Sequence, residues 1–195
     1  MFVPTGPALQ VSSLNIPDIR LLTPKRYSDD RGFFVETWNR KTFQGHGIDV
    51  DFLQDNVSLS LKTGTIRGLH FQRPPAPQAK LVRVLKGSVL DVAVDLRAGS
   101  PSFGRYVSAV LTAERGEELF VPVGFAHGFC TLEDDTEVAY KVSGLYAPDC
   151  EGGVVWDDPA LAIAWPLGQH RPVLSDKDRQ LPRLADIGPQ FTYPT

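Results

Sequence analysis

Cysteine is nearly absent from this chain: Cys130 and Cys150 are the only two in 195 residues, too few for a disulfide-stapled scaffold. Histidine is scarce too, with four. A metal-dependent β-barrel oxygenase or isomerase wants two or three histidines and a carboxylate, commonly with His-x-His spacing. Here Leu69, His70, Phe71 and Gln72 run where the second histidine would be needed, so no metal ligand set is expected. There is no basic excess either. A net charge of -3 and a pI near 5.8 argue against nucleic-acid and acidic-membrane partners, and any anionic ligand must be held by a few local arginines and lysines. No apolar run approaches the roughly 18 residues of a membrane span, and no basic stretch leading into an apolar core opens the chain. A soluble, cytoplasmic protein is expected.

What the chain does contain is punctuation. Its 17 glycines and 16 prolines are spread out, as turn residues between short β-rich segments. Strands are predicted over 33–38, 52–60, 65–72, 80–86, 88–96, 106–111, 118–121, 125–131 and 137–143. The clearest pair is KLVRVLKGSVLDVAVDL, with Lys86, Gly87 and Ser88 as its turn. In its second strand Leu90, Val92, Val94 and Leu96 share one face, and Val89, Asp91, Ala93 and Asp95 the other. Asp95 reads as solvent-facing; Asp91 is open between that reading and a site. Helix is expected only around 41–45 and in the tail after Ser175. Many short strands at this spacing predict an all-β antiparallel sandwich or barrel, formed as one domain over residues 1–195.

Two polar clusters interrupt this apolar pattern. QDNVSLSLKTGTIRGLHFQ, residues 54–72, sets Arg67 and His70 close together, with Lys80 and Asp91 following. Ideal alternation puts Ile66, Gly68, His70 and Gln72 on one face and Arg67, Leu69 and Phe71 on the other, so Arg67 and His70 meet only through a bulge or a shared rim. PVGFAHGFCTLEDDTEVAYK then brings His127 and Tyr140, and LSDKD supplies Lys177 and Asp178 in an irregular tail. Ionisable groups placed where a sheet buries side chains suggest a lined cavity. His46 and His170 read as loop residues.

These segments, with DDRGFFVETWN, QAKLVRVLKGSVLDVAVDLR, SPSFGRY, EVAYKVSGLYAP and EGGVVWDDPALAIAWP, closely resemble, in order over residues 24–178, the dTDP-4-dehydrorhamnose 3,5-epimerase family. The chain departs from the family pattern at Leu145, where many relatives carry a second aromatic, and at Ala79, where glycine is frequent. The resemblance implies a cupin-type jelly roll that dimerises by exchanging strand interactions. It also implies action on dTDP-4-dehydro-6-deoxy-D-glucose without cofactor or metal.

The chemistry can be argued beside the resemblance. A C4 ketone acidifies the protons on C3 and C5, so inversion needs a base on one face of the sugar and a proton donor on the other. His70 is the natural base, because neutral imidazole is abundant near neutral pH and a carboxylate on its far nitrogen fixes the tautomer. By resemblance Asp178 is that carboxylate, Tyr140 the donor and Lys80 the cation beside the C4 oxygen. Arg31 and Arg67 match diphosphate contacts, whose fork geometry suits two phosphates. Glu36, Gln54, Asp55 and Asn56 resemble base and sugar contacts, Tyr146 the aromatic under the thymine, and His127, Glu151 and Lys177 further substrate contacts; Arg83 is left to the scaffold. The bland alternatives are a core histidine, a snorkelling Lys80, a rim Tyr140 and an Arg31 paired within its own turn. A binding module that has lost the chemistry is a further alternative, against which His70, Lys80, Tyr140 and Asp178 stand together. Relatives that invert only C3 or only C5 share the histidine, and Tyr140 favours inversion at both.

Overall fold

The computed structural model describes residues 8–169 and 171–194, which leaves His170 outside the described residues. The chain opens with β1 (Leu9–Ser13), β2 (Arg20–Pro24), the hairpin β3 (Arg26–Asp29) and β4 (Gly32–Val35), and helix α1 (Arg40–Gly45). Then come β5 (Gln54–Ser60), β6 (Ile66–Gln72), β7 (Lys80–Lys86), β8 (Ser88–Asp95), β9 (Arg97–Ala98) and β10 (Tyr106–Thr112). The last elements are β11 (Glu118–Val121), β12 (Phe125–Thr131), β13 (Thr136–Val142), β14 (Glu151–Gly153), α2 (Asp176–Arg179) and β15 (Phe191–Thr192). Two antiparallel sheets face each other as a jelly roll, one ordered β1-β2-β11-β7-β13-β5 and the other β10-β8-β12-β6-β14. No helix among the described residues is long and apolar enough to cross a membrane.

The expected strands are present, with three differences. The run 33–38 is strand only as far as Val35. Strands β1, β2, β3, β9, β14 and β15 were not expected, because runs of two to five residues, RLLTP among them, carry little periodicity. Strands β7 and β8 are no hairpin: β7 lies between β11 and β13, whereas β8 lies between β10 and β12. Gly87, at φ +80°, turns the chain from one sheet to the other, and a Cβ there would sit 2.5 Å from Thr136 Oγ1. Local alternation predicts a strand's two faces; the sheet it joins depends on distant partners.

Both faces of β8 are buried, which corrects the solvent-facing reading of Asp95 and settles the position of Asp91: each is 0% exposed. Val89 and Ala93 join Val82, Leu119, Phe125, Phe129 and Val138 between the sheets. On the other face Val92, Val94 and Leu96 pack with Leu69 and Phe71 beneath Val154, Leu161 and Phe191 of the C-terminal segment. Asp95, on the face of Val89 and Ala93, is held by Arg97, Ser100 and Ser102. A third cluster seats Phe43 of α1 and Ile48 against Leu22, Leu81 and Phe120, outside the six-stranded sheet. Each fully buried aliphatic or aromatic side chain contributes about 1.5–3 kcal/mol. Together these clusters fix the rims on which the polar groups sit.

Candidate active site

The inter-sheet space is apolar at one end and polar at the other. At the polar end lies a cavity of about 410 Å³, lined by Arg67, His70, Lys80, His127, Tyr140, Lys177 and Asp178 among others. A neighbouring cavity of about 270 Å³ shares His70, Lys80 and Tyr140 and adds Gln54, Asn56, Tyr146 and Glu151.

A bulge brings Arg67 and His70 to the same cavity. His70 on β6 pairs with His127 on β12, yet Arg67 pairs with Phe129, so three steps on one strand match two on the other. Gly68 and Gly128 allow it: a Cβ on Gly68 would lie 2.6 Å from Gly128 Cα, and one on Gly128 would lie 2.7 Å from the Arg67 carbonyl oxygen. The Gly68–Leu69 peptide within the bulge is cis. Leu69 and Phe71 keep the opposite, apolar face. Of the two geometries the sequence left open, the bulge is the one present.

The opposing wall is regular. Val142 pairs with Lys80, and Tyr140 with Val82, so Lys80 and Tyr140 are diagonal neighbours on one face of the six-stranded sheet. The histidines therefore enter from one sheet, and the lysine and phenol from the other.

Asp178 arrives from the tail. Val173 is tied to β6 by its N–H to the Gly64 oxygen and by its own oxygen to the Ile66 N–H, both 3.0 Å. Ser175 then caps α2, its Oγ accepting from the Asp178 N–H at 3.1 Å. This places Asp178, 4% exposed, with Oδ1 2.6 Å from His70 Nε2. Burial pushes the Asp178 carboxyl up, but the bond and charge of His70, the Ser175 bond and Lys177 outweigh it and hold the group below the usual carboxylate range. Nε2 therefore carries the shared proton, and Nδ1 is the ring nitrogen left to take one from a substrate.

Lys80 is 9% exposed and donates to the His70 carbonyl oxygen at 3.3 Å. Burial lowers its pKa to about 8 against the opposing pull of Asp91 and Glu151. Burial also raises the Tyr140 phenol, more than the Arg67 charge lowers it. A cation and a firmly protonated phenol thus face the histidines.

At the rim, Glu151 accepts from the Tyr146 hydroxyl at 3.1 Å and pairs with Lys177 at 2.5 Å. Gln54 accepts from the Tyr146 N–H at 3.1 Å, donates to Asn56 at 2.9 Å, and so ties the exposed aromatic to β5. Gln72 clamps the same loop through Leu145 and Ala147. Arg67 is held by the Ser60 hydroxyl and the Leu59 carbonyl oxygen.

Three predicted residues lie elsewhere in the single chain. Asp55 points to the outer face of β5 and pairs with Lys141 at 2.8 Å, because alternation puts its neighbours Gln54 and Asn56 on the cavity side. Arg31 is paired with Asp29 at 2.5 Å and lines, with Glu36, Phe33 and Phe34, a separate cavity on the β3–β4 hairpin. The sequence left Asp91 open, and its alternation with Val89 and Ala93 on the inward face was the available signal. Ser175 went unnamed, although Ser before Asp-Lys-Asp is an N-cap pattern. His46 caps α1 in a turn, as expected.

Among the described residues no three His, Cys, Asp or Glu side chains converge as a metal-binding group. His70 and His127 each turn Nε2 to a carboxylate instead.

The chain is similar to known proteins over nearly all of its length. A family model described as dTDP-4-dehydrorhamnose 3,5-epimerase matches residues 13–186. A Sinorhizobium fredii protein of that name is 48% identical over 181 residues, 93% of this chain and 92% of its own length. A dTDP-6-deoxy-D-glucose-3,5-epimerase from Legionella pneumophila, solved with dTDP-4-keto-L-rhamnose, superposes with a TM-score of 0.91 at 40% identity, covering 96% of this chain and 100% of its own. A 3'-monoepimerase from Streptomyces bikiniensis, solved with dTDP-quinovose, gives 0.85 at 38%, covering 93% and 92%. The motifs, the jelly roll and these similarities agree: the chain belongs to the dTDP-4-dehydrorhamnose 3,5-epimerase family.

Proposed function

We propose that the protein inverts C3 and C5 of dTDP-4-dehydro-6-deoxy-D-glucose to give dTDP-4-dehydro-L-rhamnose, a step in making dTDP-L-rhamnose. The observation that carries this reading is that a carboxylate-bound histidine and a half-buried phenol enter one cavity from two facing sheets. Epimerisation beside a ketone needs a base and an acid on opposite faces of the carbon. His70 removes the proton through Nδ1, and Asp178 stabilises the imidazolium that forms. Lys80 balances the charge that develops on the C4 oxygen. Tyr140 returns a proton to the other face, its raised pKa keeping it protonated until that moment.

The nucleotide extends outward. Arg67 and Lys177 supply positive charge at the cavity mouth, and Tyr146 offers an exposed ring held by Glu151 for the thymine. Arg31 and Glu36 reach such a ligand only if a second copy presents its β3–β4 hairpin, which supports a homodimer. Phe33 and Phe34 on that hairpin are 58% and 70% exposed, as is the apolar outer face of edge strand β5 at Val57 and Leu59.

Incubation with the keto sugar in deuterated water tests the reading, following label at C3 and C5 by NMR and mass spectrometry. Label and inversion at both carbons are expected. One labelled carbon would move the protein to a monofunctional activity, and none would refute epimerisation of this sugar. Sedimentation equilibrium tests the dimer; a monomer at micromolar concentration would refute it.

A further inference from the structure

His70 is not the only histidine in the cavity bound to a carboxylate. His127, 6% exposed, sets Nε2 2.9 Å and 3.0 Å from the two oxygens of Asp91, which is itself 0% exposed. The two pairs are adjacent, since His127 and His70 are cross-strand partners on β12 and β6. Asp91 comes from β8, where its pairing partner is Phe129, so it meets His127 along the diagonal of the sheet. The proposed mechanism uses the first pair and leaves the second without a task.

We propose that Asp91 is a positioning residue: it holds His127 as the Nε2–H tautomer, so that Nδ1 meets the substrate as a hydrogen-bond acceptor for a sugar hydroxyl. This deepens the epimerase reading and rests on it for the identity of the ligand. A carboxylate accepts only, so the nitrogen facing both Asp91 oxygens must carry a proton. Whether Nδ1 carries one too depends on the groups around the ring. Burial disfavours the imidazolium, and the charges of Lys80 on β7 and His70 on β6 add to this, with Asp91 alone opposing. The net effect lowers the His127 pKa and leaves a neutral ring with a lone pair on Nδ1.

The same carboxylate acts on Lys80. The groups that bear on that ammonium are Asp91 from β8 and Glu151 from β14, which favour the charge, with the two histidines and Tyr140 sharing its cavity. Removing the Asp91 charge therefore lets Lys80 lose its proton at lower pH.

The test has one part that needs no variant. Long-range ¹H–¹⁵N correlation of the histidine rings reads the His127 tautomer directly, with His127→Asn to assign the signal. A neutral ring protonated at Nε2 near pH 7 is expected; an Nδ1–H tautomer or an imidazolium there would overturn the proposal, whatever the substrate proves to be. Asp91→Asn then keeps shape and an acceptor while removing charge. Loss of a charge-assisted bond predicts about a 10- to 100-fold fall in kcat, with the alkaline limb of the rate moved to lower pH. A purely structural role would leave that limb in place, and an unmoved limb in a folded Asp91→Asn protein overturns the inference. If wild type fails to label the keto sugar, the epimerase reading fails while the tautomer measurement still decides the role of Asp91.

Discussion

Replacing Asp178 by Asn tests the mechanism at its narrowest point. The substitution preserves size and the N-cap bond from the Asp178 backbone to Ser175, so α2 stays in place. It changes what His70 Nε2 meets at 2.6 Å. A hydrogen bond between a neutral amide and an imidazolium is weaker than one with a carboxylate by roughly 1.5–3 kcal/mol, or about 10- to 150-fold in rate. If the amide instead turns its NH₂ to Nε2, the ring proton moves to Nδ1 and the base is lost, a change worth about 10⁴ in comparable histidine–carboxylate pairs. The expected loss is therefore about 10- to 10⁴-fold, equal at C3 and C5 if, as proposed, one histidine serves both carbons. Solvent-deuterium incorporation under single-turnover conditions measures it, and dTDP binding by calorimetry should stay within about twofold. An Asp178→Asn protein that labels both carbons within threefold of wild type would refute His70 as the base.

Tyr140→Phe removes the proton donor while leaving His70 intact, so deuterium wash-in without inversion is expected, with inversion slowed about 10²- to 10⁴-fold; inversion at the native rate would reject the donor assignment. The proposed mechanism needs Lys80, whose pKa burial lowers to about 8, as a cation, so the rate is expected to fall as pH rises through about 8; a flat profile to pH 9.5 would contradict this. Glu118 is 1% exposed with Oε2 unpartnered, and burial raises its pKa to about 8 despite Arg83 and Lys141. The folded state holds that proton more tightly than the unfolded chain, so stability declines between about pH 4.5 and 8. Glu118→Gln should remove the decline, on the order of 2–5 kcal/mol, raising Tm at pH 9 by about 5 °C or more and changing little at pH 4.5; parallel melting profiles would disprove it. Dialysis against a chelator should leave the activity intact, and a loss that zinc or iron restores would reveal a metal site.

Much of this protein follows from local sequence. Alternation in 88–96 assigns each side chain of β8 to one of two faces, and the separate clusters on the two sides of that strand keep the assignment. The order of motifs over 24–178 was enough to identify the family, because each motif is a short run whose residue types are set by its own turn or strand. The resemblance also marked His70, Lys80, Tyr140 and Asp178 as a set. What local sequence leaves undetermined is which element covers which. Asp95 looked solvent-facing because alternation carries no information about the segment 97–102, whose Arg97, Ser100 and Ser102 fold back to hold it. Likewise Asp55 stands in the QDN run with Gln54 and Asn56, yet the strand period turns it outward to Lys141. The meeting of His70 with Asp178 spans 108 residues of chain, and the bulge that turns Arg67 and His70 the same way requires two glycines from different strands to touch. Such pairings are set by long-range packing, whose free energy exists only once the sheets have closed. The sequence by itself determined the longer strands of the two sheets, the faces of β8 and the chemical types available; only the tertiary structure decided which buried charges became neighbours, and hence which carboxylate stands behind which histidine.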